Sequence, residues 1–172
     1  MNRILMILIA VCLDLCFGDP YWLYHPVRLI GKGIAGLKRW LQIWCSREHG
    51  IHKRQEIIAG GILAVVIIAG AYGITAGILY GVSLIHPMAA VILEIFWMYQ
   101  ILAARCLKNE SDKVYKDLKN RDLAKARISI SYLVGRDTKS LSEEEVAKAC
   151  VETVAENTTD GVIAPLFYLF LG

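Results

Sequence analysis

Three carboxylates near the end of the sequence have a spacing that could serve chemistry. Glu152, Glu156 and Asp160 recur every four residues, so a helix over 142–157 stacks the two glutamates on one face, with Asp160 just beyond its end. Mg2+ accepts carboxylate oxygens, commonly one or two together with substrate phosphates. The pattern therefore predicts either a Mg2+ site or a solvated helix face, which is the usual setting of glutamates at this spacing.

A second polar cluster follows Gly135 and consists of Arg136, Asp137 and Thr138. The guanidinium fork of Arg136 could bind a phosphate or carboxylate through two parallel hydrogen bonds. Asp137 and Thr138 could orient that fork or cap the next helix, and an ordinary turn has the same composition. The sequence contains neither G-x-x-x-x-G-K-[ST] nor G-x-G-x-x-G, which excludes a conventional nucleotide-binding loop.

The third cluster lies near the N-terminus, where Asp19, His25 and Arg28 are close together in sequence. Their charges and the histidine could handle an anion at a membrane surface. The glycine and prolines around them are equally typical of a turn next to a membrane segment.

The elements that position the later clusters are short helices within a charged segment over residues 105–160. Apolar periodicity predicts three of them, over 109–119, 121–134 and 142–157. Ser142 and Glu145 form a capping-box pattern, and Leu141 and Val146 form a hydrophobic staple pattern. The last helix should therefore begin sharply and present its carboxylates at a defined position.

The rest of the chain is unusually apolar, since 56% of its 172 residues are hydrophobic and only 20% are charged. Residues 57–85 contain no charge, and residues 88–104 resume the apolar pattern after a His-Pro break. Each stretch approaches or exceeds the roughly 20 residues that cross a bilayer. The sequence therefore predicts a membrane hairpin over 57–104. The small net charge of +3 and the absence of long basic runs argue against a nucleic-acid partner.

Two further apolar segments flank this hairpin. Residues 1–18 predict a first membrane helix; a secretory signal is the alternative, although Asp14 interrupts the segment and no small-residue cleavage site follows. Residues 161–172 predict the truncated start of a further membrane helix. The predicted fold class is an all-α polytopic membrane protein with three membrane helices, a cytoplasmic helical segment and the start of a fourth apolar helix.

Charge in the connecting segments predicts the orientation of these helices. Lys and Arg outnumber acids in residues 19–56 and are abundant in 105–160, whereas the turn of the hairpin has none. The positive-inside rule therefore places the basic loop 19–56 and the segment 105–160 in the cytoplasm of a multi-pass cell-membrane protein.

Asp14 and Glu94 are acids within apolar stretches, where such groups are costly and are often functional. Each could instead hydrogen-bond a neighbouring helix. Gly73, Gly77 and Gly81 follow one helix face at the spacing of close helix packing. These features leave open a non-catalytic alternative, a small membrane scaffold or a transporter half in which the two acids pass ions.

Four stretches together resemble a known family. They are GDPYWLYHPVRLIG (18–31), AARCLK (103–108), ARISISYLVGRDT (126–138) and VETVAENTTDGVIAPLFY (151–168). In this order they are similar to the cobalamin biosynthesis proteins CbiB/CobD, the membrane-bound adenosylcobinamide-phosphate synthases. Family members continue beyond the last motif with further membrane helices, so residues 1–172 resemble their N-terminal half.

The resemblance implies an ATP-dependent carbon-nitrogen ligase. Its corrinoid substrate would be adenosylcobyric acid, whose propionate receives aminopropanol or aminopropanol phosphate. Glu152, Glu156 and Asp160 would be catalytic, holding Mg2+ or accepting the amine proton. Seven residues would bind substrate: Asp19, His25, Arg28, Arg136, Asp137, Thr138 and Asn157. Expected partners besides the substrates are membrane lipid and either a second copy of the chain or a complementing C-terminal half.

Overall fold

A computed structural model describes residues 2–18, 26–45 and 53–171 of the chain. Helices occupy almost all of these ranges, and no strand occurs in them. The helices are α1 (Arg3–Phe17), α2 (Pro26–Cys45), α3 (Lys53–Ile85), α4 (Pro87–Gln100), α5 (Ala104–Lys119), α6 (Leu123–Ser131), α7 (Glu143–Thr158) and α8 (Ala164–Leu171), with a π-helical turn over Thr159–Ile163. The predicted all-α class is confirmed.

The chain divides into two compact units. The first comprises Met1–Tyr21 and Ile95–Gly172, and therefore contains α1, the end of α4 and all helices from α5 to α8. The second comprises Trp22–Glu94, which contains α2, α3 and the start of α4. Most residues with predicted roles in chemistry belong to the first unit.

Two helical stretches are long and apolar enough to cross a membrane, Gln55–Ile85 and Pro87–Lys119. The second stretch includes the turn at 101–103 and ends in the charged helix α5, so its apolar part is α4. Their apolar parts agree in extent with the two stretches of the predicted hairpin. The helix α1, in contrast, has 15 residues, fewer than the roughly 17–25 that a spanning helix needs, and its role as a third span stays a prediction.

The basic segment 19–56 was predicted as a loop, but the structure forms the 20-residue helix α2 within it. Its residues Leu37 and Leu41 recur at helical spacing and are partly or fully buried. Because α2 packs on α3, tertiary packing supports a helix whose three glycines weaken its intrinsic propensity. The predicted site residues Asp19 and His25 lie outside the described residues.

The first unit has a core where α5, α6 and α7 meet. Five buried side chains form it: Val114, Ala126, Ile130, Val146 and Ala149. Leu141 packs against this core, so the predicted staple between Leu141 and Val146 is confirmed. The capping box is also confirmed, because Glu145 N–H donates to Ser142 Oγ at 3.3 Å and Ser142 N–H donates to Glu145 Oε2 at 2.7 Å.

Glu145→Gln should make α7 less stable at neutral pH but not in acid. The hydrogen bonds from Ser142 hold the pKa of Glu145 below its usual value. A depressed pKa stabilises the fold above the ordinary glutamate pKa, and that contribution is lost as pH falls through the folded value. Urea unfolding followed by circular dichroism should show the difference at pH 7 and lose it in acid. Glu144→Gln is the control, because Glu144 lies in the same helical turn but is not part of the capping box. If Glu144→Gln lost stability with the same pH dependence as Glu145→Gln, the prediction would be contradicted.

Gly18 ends α1 in a conformation that other residues rarely adopt, with φ 65° and ψ −154°. Its N–H donates to Asp14 O at 2.8 Å, and its carbonyl accepts from the Tyr99 hydroxyl. A Cβ at this position would lie 3.1 Å from Arg105 Cγ. The backbone conformation and the lack of room for a Cβ therefore both favour glycine at position 18, the first residue of the Gly-Asp-Pro sequence.

Gly18→Ala is expected to destabilise the protein by about 1–3 kcal/mol, since it combines an essentially glycine-only backbone with a close contact. Thermal unfolding in detergent would measure this loss. Gly77→Ala is the matched control, because a Cβ at Gly77 would meet nothing within 4 Å. Equal unfolding temperatures for the Gly18 variant and the wild type would contradict the prediction.

Candidate functional site

The loop between α6 and α7 is held in place by side-chain hydrogen bonds. Arg127 Nε donates to Leu141 O at 2.7 Å, and Thr138 Oγ1 donates to Arg127 O at 2.8 Å. Asp137 Oδ1 accepts from Lys139 N–H at 3.0 Å, which forms a local turn. Thr138 is only 5% exposed, so its hydroxyl positions the loop in this structure.

The anchored loop places Arg136 beside α7. Arg136 Nη2 lies 3.7 Å from Glu152 Oε2, and Lys148 Nζ lies 3.8 Å from Glu152 Oε1. All three side chains are more than half exposed. Such long, solvated ion pairs contribute only about 0–1 kcal/mol to stability. Arg136 and Lys148 therefore both lie near Glu152 and stay accessible to an anionic ligand.

Asp160 lies in the π-helical turn, where the chain contains one more residue per turn than an α-helix would. Gly161 O accepts a hydrogen bond from Ala103 N–H at 3.1 Å, and a Cβ on Gly161 would lie 3.4 Å from Ala103 Cβ. Thr159 Oγ1 donates to Ala155 O at 3.2 Å. The turn thus docks on the start of α5 and fixes the position of Asp160.

An open cleft of about 520 Å³ borders this turn. Asp160, Arg3 and Tyr168 contribute its polar atoms, and Arg3 Nε donates to Leu169 O at 2.8 Å. A separate cleft of about 460 Å³ lies between α5 and α7 and is mainly apolar, with Cys150 in its wall. Burial raises the pKa of the Cys150 thiol, which favours its protonated form.

The three predicted metal ligands do not converge in the isolated chain. Among the described residues, no group of three His, Cys, Asp or Glu side chains could hold a metal ion. Glu152 has cations beside both of its oxygens, and Asp160 faces a different environment in its cleft. In the part of the chain that the structure describes, these carboxylates therefore do not form a preformed three-carboxylate site.

The other predicted site residues are dispersed. Glu156 is exposed one turn after Glu152 on α7, and Asn157 beside it is half-buried. Arg28 is exposed on α2 in the second unit. The structure therefore brings together Arg136 and Glu152, adds Lys148 to them, and leaves Glu156 and Asn157 on the following turn of the same helix.

Asp14 is a buried acid that accepts hydrogen bonds from the start of another helix. It is 1% exposed, and its Oδ2 accepts from Ala104 N–H at 3.1 Å and from Arg105 N–H at 3.4 Å. The N-cap residue of α5, Ala103, makes no side-chain capping bond. Asp14, which lies on α1, thus caps α5. Arg105 Nη1 donates a further hydrogen bond from α5 to Leu15 O on α1, at 2.5 Å. This contact confirms the alternative of a hydrogen bond to a neighbouring helix.

Sequence reasoning also missed two cations near the predicted carboxylates, Lys148 and Arg3. Lys148 lies four residues before Glu152, the ordinary spacing of a helical ion pair, and this spacing could have identified it. Arg3 lies far from Asp160 in sequence, and only the packing of α1 against α8 brings it to the same cleft.

Comparison with known proteins gives one consistent result. The family model described as CobD/Cbib protein matches residues 7–172. The cobalamin biosynthesis protein CobD of Geobacter metallireducens is 46% identical over 97% of this chain and 50% of its own length. CobD of Citrobacter koseri is 42% identical, and CbiB of Salmonella arizonae is 40% identical, each over 95% of this chain and 50% of the relative.

No solved structure shows a significant match to the chain. The chain spans about half the length of the curated relatives it matches. All four motif stretches lie within residues 7–172, the region that the family model matches. The chain belongs to the CobD/CbiB family of cobalamin biosynthesis proteins.

Proposed function

We propose that this chain takes part in the ATP-dependent ligation of aminopropanol, or its phosphate, to a propionate side chain of adenosylcobyric acid. The product is adenosylcobinamide or its phosphate. The observation that carries this proposal is that Arg136, on a loop anchored by side-chain hydrogen bonds, and Lys148, on α7, both lie near Glu152. Family membership supports a role in cobalamin biosynthesis, and the amide chemistry is our inference.

The first chemical step would activate the carboxylate. A propionate oxygen attacks the γ-phosphorus of ATP, the bond to ADP breaks, and an acyl phosphate forms. Negative charge on the phosphoryl oxygens then needs fixed cations. Arg136 offers a fork for two phosphate oxygens and Lys148 a point charge beside it. Mg2+ would supply further charge neutralisation when bound, with Glu152 or Asp160 as its carboxylate ligand.

The second step would form the amide. The amine nitrogen attacks the acyl carbon, the carbon-oxygen bond to phosphate breaks, and phosphate leaves. The nitrogen must lose a proton, for which an exposed carboxylate near the cations is suitable. Glu156 lies one helical turn beyond Glu152 and could accept that proton, while the amide of Asn157 could hydrogen-bond a side chain of the corrin.

The membrane arrangement is part of the same proposal. The apolar stretches over Gln55–Ile85 and Pro87–Gln100 would cross the cell membrane as a hairpin. The excess of Lys and Arg in 19–56 and 105–160 favours a cytoplasmic location for both segments. The cytoplasm supplies the ATP that the ligation consumes, so this orientation suits the chemistry.

A strain that lacks this ligation step tests the proposal. It would be supplied with cobyric acid and aminopropanol, transformed with the complete natural reading frame, and scored for cobinamide by chromatography. We expect product only with the reading frame present. Absence of product, with the protein demonstrated in the membrane fraction, would contradict the ligase assignment and favour a non-catalytic membrane role.

A further inference from the structure

The helix α2 has a one-sided charge distribution. It contains four cations, Arg28, Lys32, Lys38 and Arg39, and no acidic residue. At 100° per residue, Arg28, Lys32 and Arg39 fall on one face, and all three are exposed. A solvated helix in a globular protein usually mixes both signs of charge on its outer face. This stripe is therefore complementary to an anionic partner.

The opposite face of α2 is the one that packs on α3. Gly33, Leu37 and Leu41 recur every fourth residue, and a Cβ at Gly33 would lie 3.6 Å from Ile67 Cδ1. Leu41 is 5% exposed. The partly covered residues of the first half of α3 recur at the same interval: Gln55, Ala59, Leu63, Ile67 and Ala71. The two helices thus form a hairpin, and the cationic stripe points away from α3.

The length of α3 locates this hairpin relative to a bilayer. Its 33 residues extend about 50 Å at 1.5 Å per residue, whereas the hydrocarbon core is about 30 Å thick. A span of about 20 residues that ends at Ile85 would begin near residue 66. The turns of α3 before residue 66, which the second half of α2 covers, would then lie at the level of the lipid headgroups. The first half of α2 packs beside Ile67 and would lie only about one turn deeper, from where long cationic side chains can extend to the headgroups.

Apolar side chains border the cationic stripe. Val27, Ile34, Trp40 and Ile43 are exposed, and tryptophan is enriched at the boundary between headgroups and acyl chains. A cationic face with apolar flanks is the pattern of helices that lie at a membrane interface. We infer that α2, packed along α3 at this boundary, uses its stripe, Arg28, Lys32 and Arg39, to bind the headgroups of anionic phospholipids.

Lipid selectivity in reconstituted vesicles tests this inference without any assay of catalysis. The full chain would be reconstituted in phosphatidylcholine with trace spin-labelled phosphatidylglycerol or spin-labelled phosphatidylcholine, and the motionally restricted fraction of each would be measured. We expect the wild type to prefer phosphatidylglycerol. K32Q/R39Q should reduce that preference severalfold, since each cation near an anionic surface contributes to binding, and high salt should reduce it too.

K116Q/K119Q on α5 is the matched control, because it removes the same charge from another exposed helical face. It should retain the preference. K32R/R39K conserves charge and should also retain it, which separates electrostatics from packing. Equal selectivity in K32Q/R39Q and the wild type would overturn the inference, and so would an equal loss in the α5 control or a loss in the charge-conserving variant.

Discussion

Arg136→Ala is expected to lower cobinamide formation by about 100-fold, the loss typical when one fixed donor to a developing anion is removed. The side chain is exposed and its nearest ion-pair partner, Glu152, is 3.7 Å away, so the fold should not depend on it. Membranes from the complemented strain would be assayed for product, and circular dichroism of the purified protein would check that its helix content is unchanged.

Two further variants test whether the effect is specific to the Arg136 guanidinium. Lys139→Ala removes an exposed cation from the same loop and should leave product formation near the wild-type level. Arg136→Lys keeps the charge but loses the fork, so its activity should fall between those of wild type and Arg136→Ala. Wild-type product from Arg136→Ala would remove this residue from the proposed chemistry.

Asp14→Ala should cause a loss of stability of about 2–4 kcal/mol, because it deletes a buried carboxylate that accepts two backbone hydrogen bonds. The N–H groups of Ala104 and Arg105 would lose their acceptor, and Ala103 has no side chain that could replace it. The favourable interaction of a negative charge with the N-terminus of α5 would also be lost. Denaturant unfolding in detergent would measure the change.

Asp14→Asn tests the explanation for that loss. The amide oxygen can still accept from Ala104 N–H, so the asparagine variant should lose less stability than the alanine variant. Alanine and asparagine variants of equal stability would show that charge, and not the hydrogen bonds, dominates. Unchanged unfolding of Asp14→Ala would exclude the capping role.

Local signals in the sequence were sufficient to predict α7, the helix that carries Glu152 and Glu156. Ser142 and Glu145 interact three residues apart, and Leu141 packs next to Val146, so neither feature requires knowledge of the fold. The apolar stretch of α3 was equally clear, because length and absence of charge alone define it. The pairing of Arg136 with Glu152 was harder to predict from the sequence, because it depends on how Arg127 anchors the loop between α6 and α7.

Features that depend on distant partners were not predictable. Asp14 could be identified as an acid in an apolar segment, but its acceptor role involves N–H groups 90 and 91 residues away. The spacing of Glu152 and Glu156 predicted a shared helix face with Asp160 just beyond the helix end, but it did not predict the π-helical turn in which Asp160 lies. No residue type encodes that turn on its own, because its contact with Ala103 supports it.

The π-helical turn also affects where this part of the chain can vary in length. Helical structure is uninterrupted over residues 143–171, so the polar helix α7 and the apolar helix α8 share one backbone. Removing one residue from α7 would turn everything beyond the deletion by about 100° and shift it by about 1.5 Å. Removing one residue from Thr159–Ile163 would instead let the π-helical turn close as an α-helical turn, so α8 would stay near its present rotation relative to α7. Changes in length are therefore better tolerated within this turn than within the helix before it.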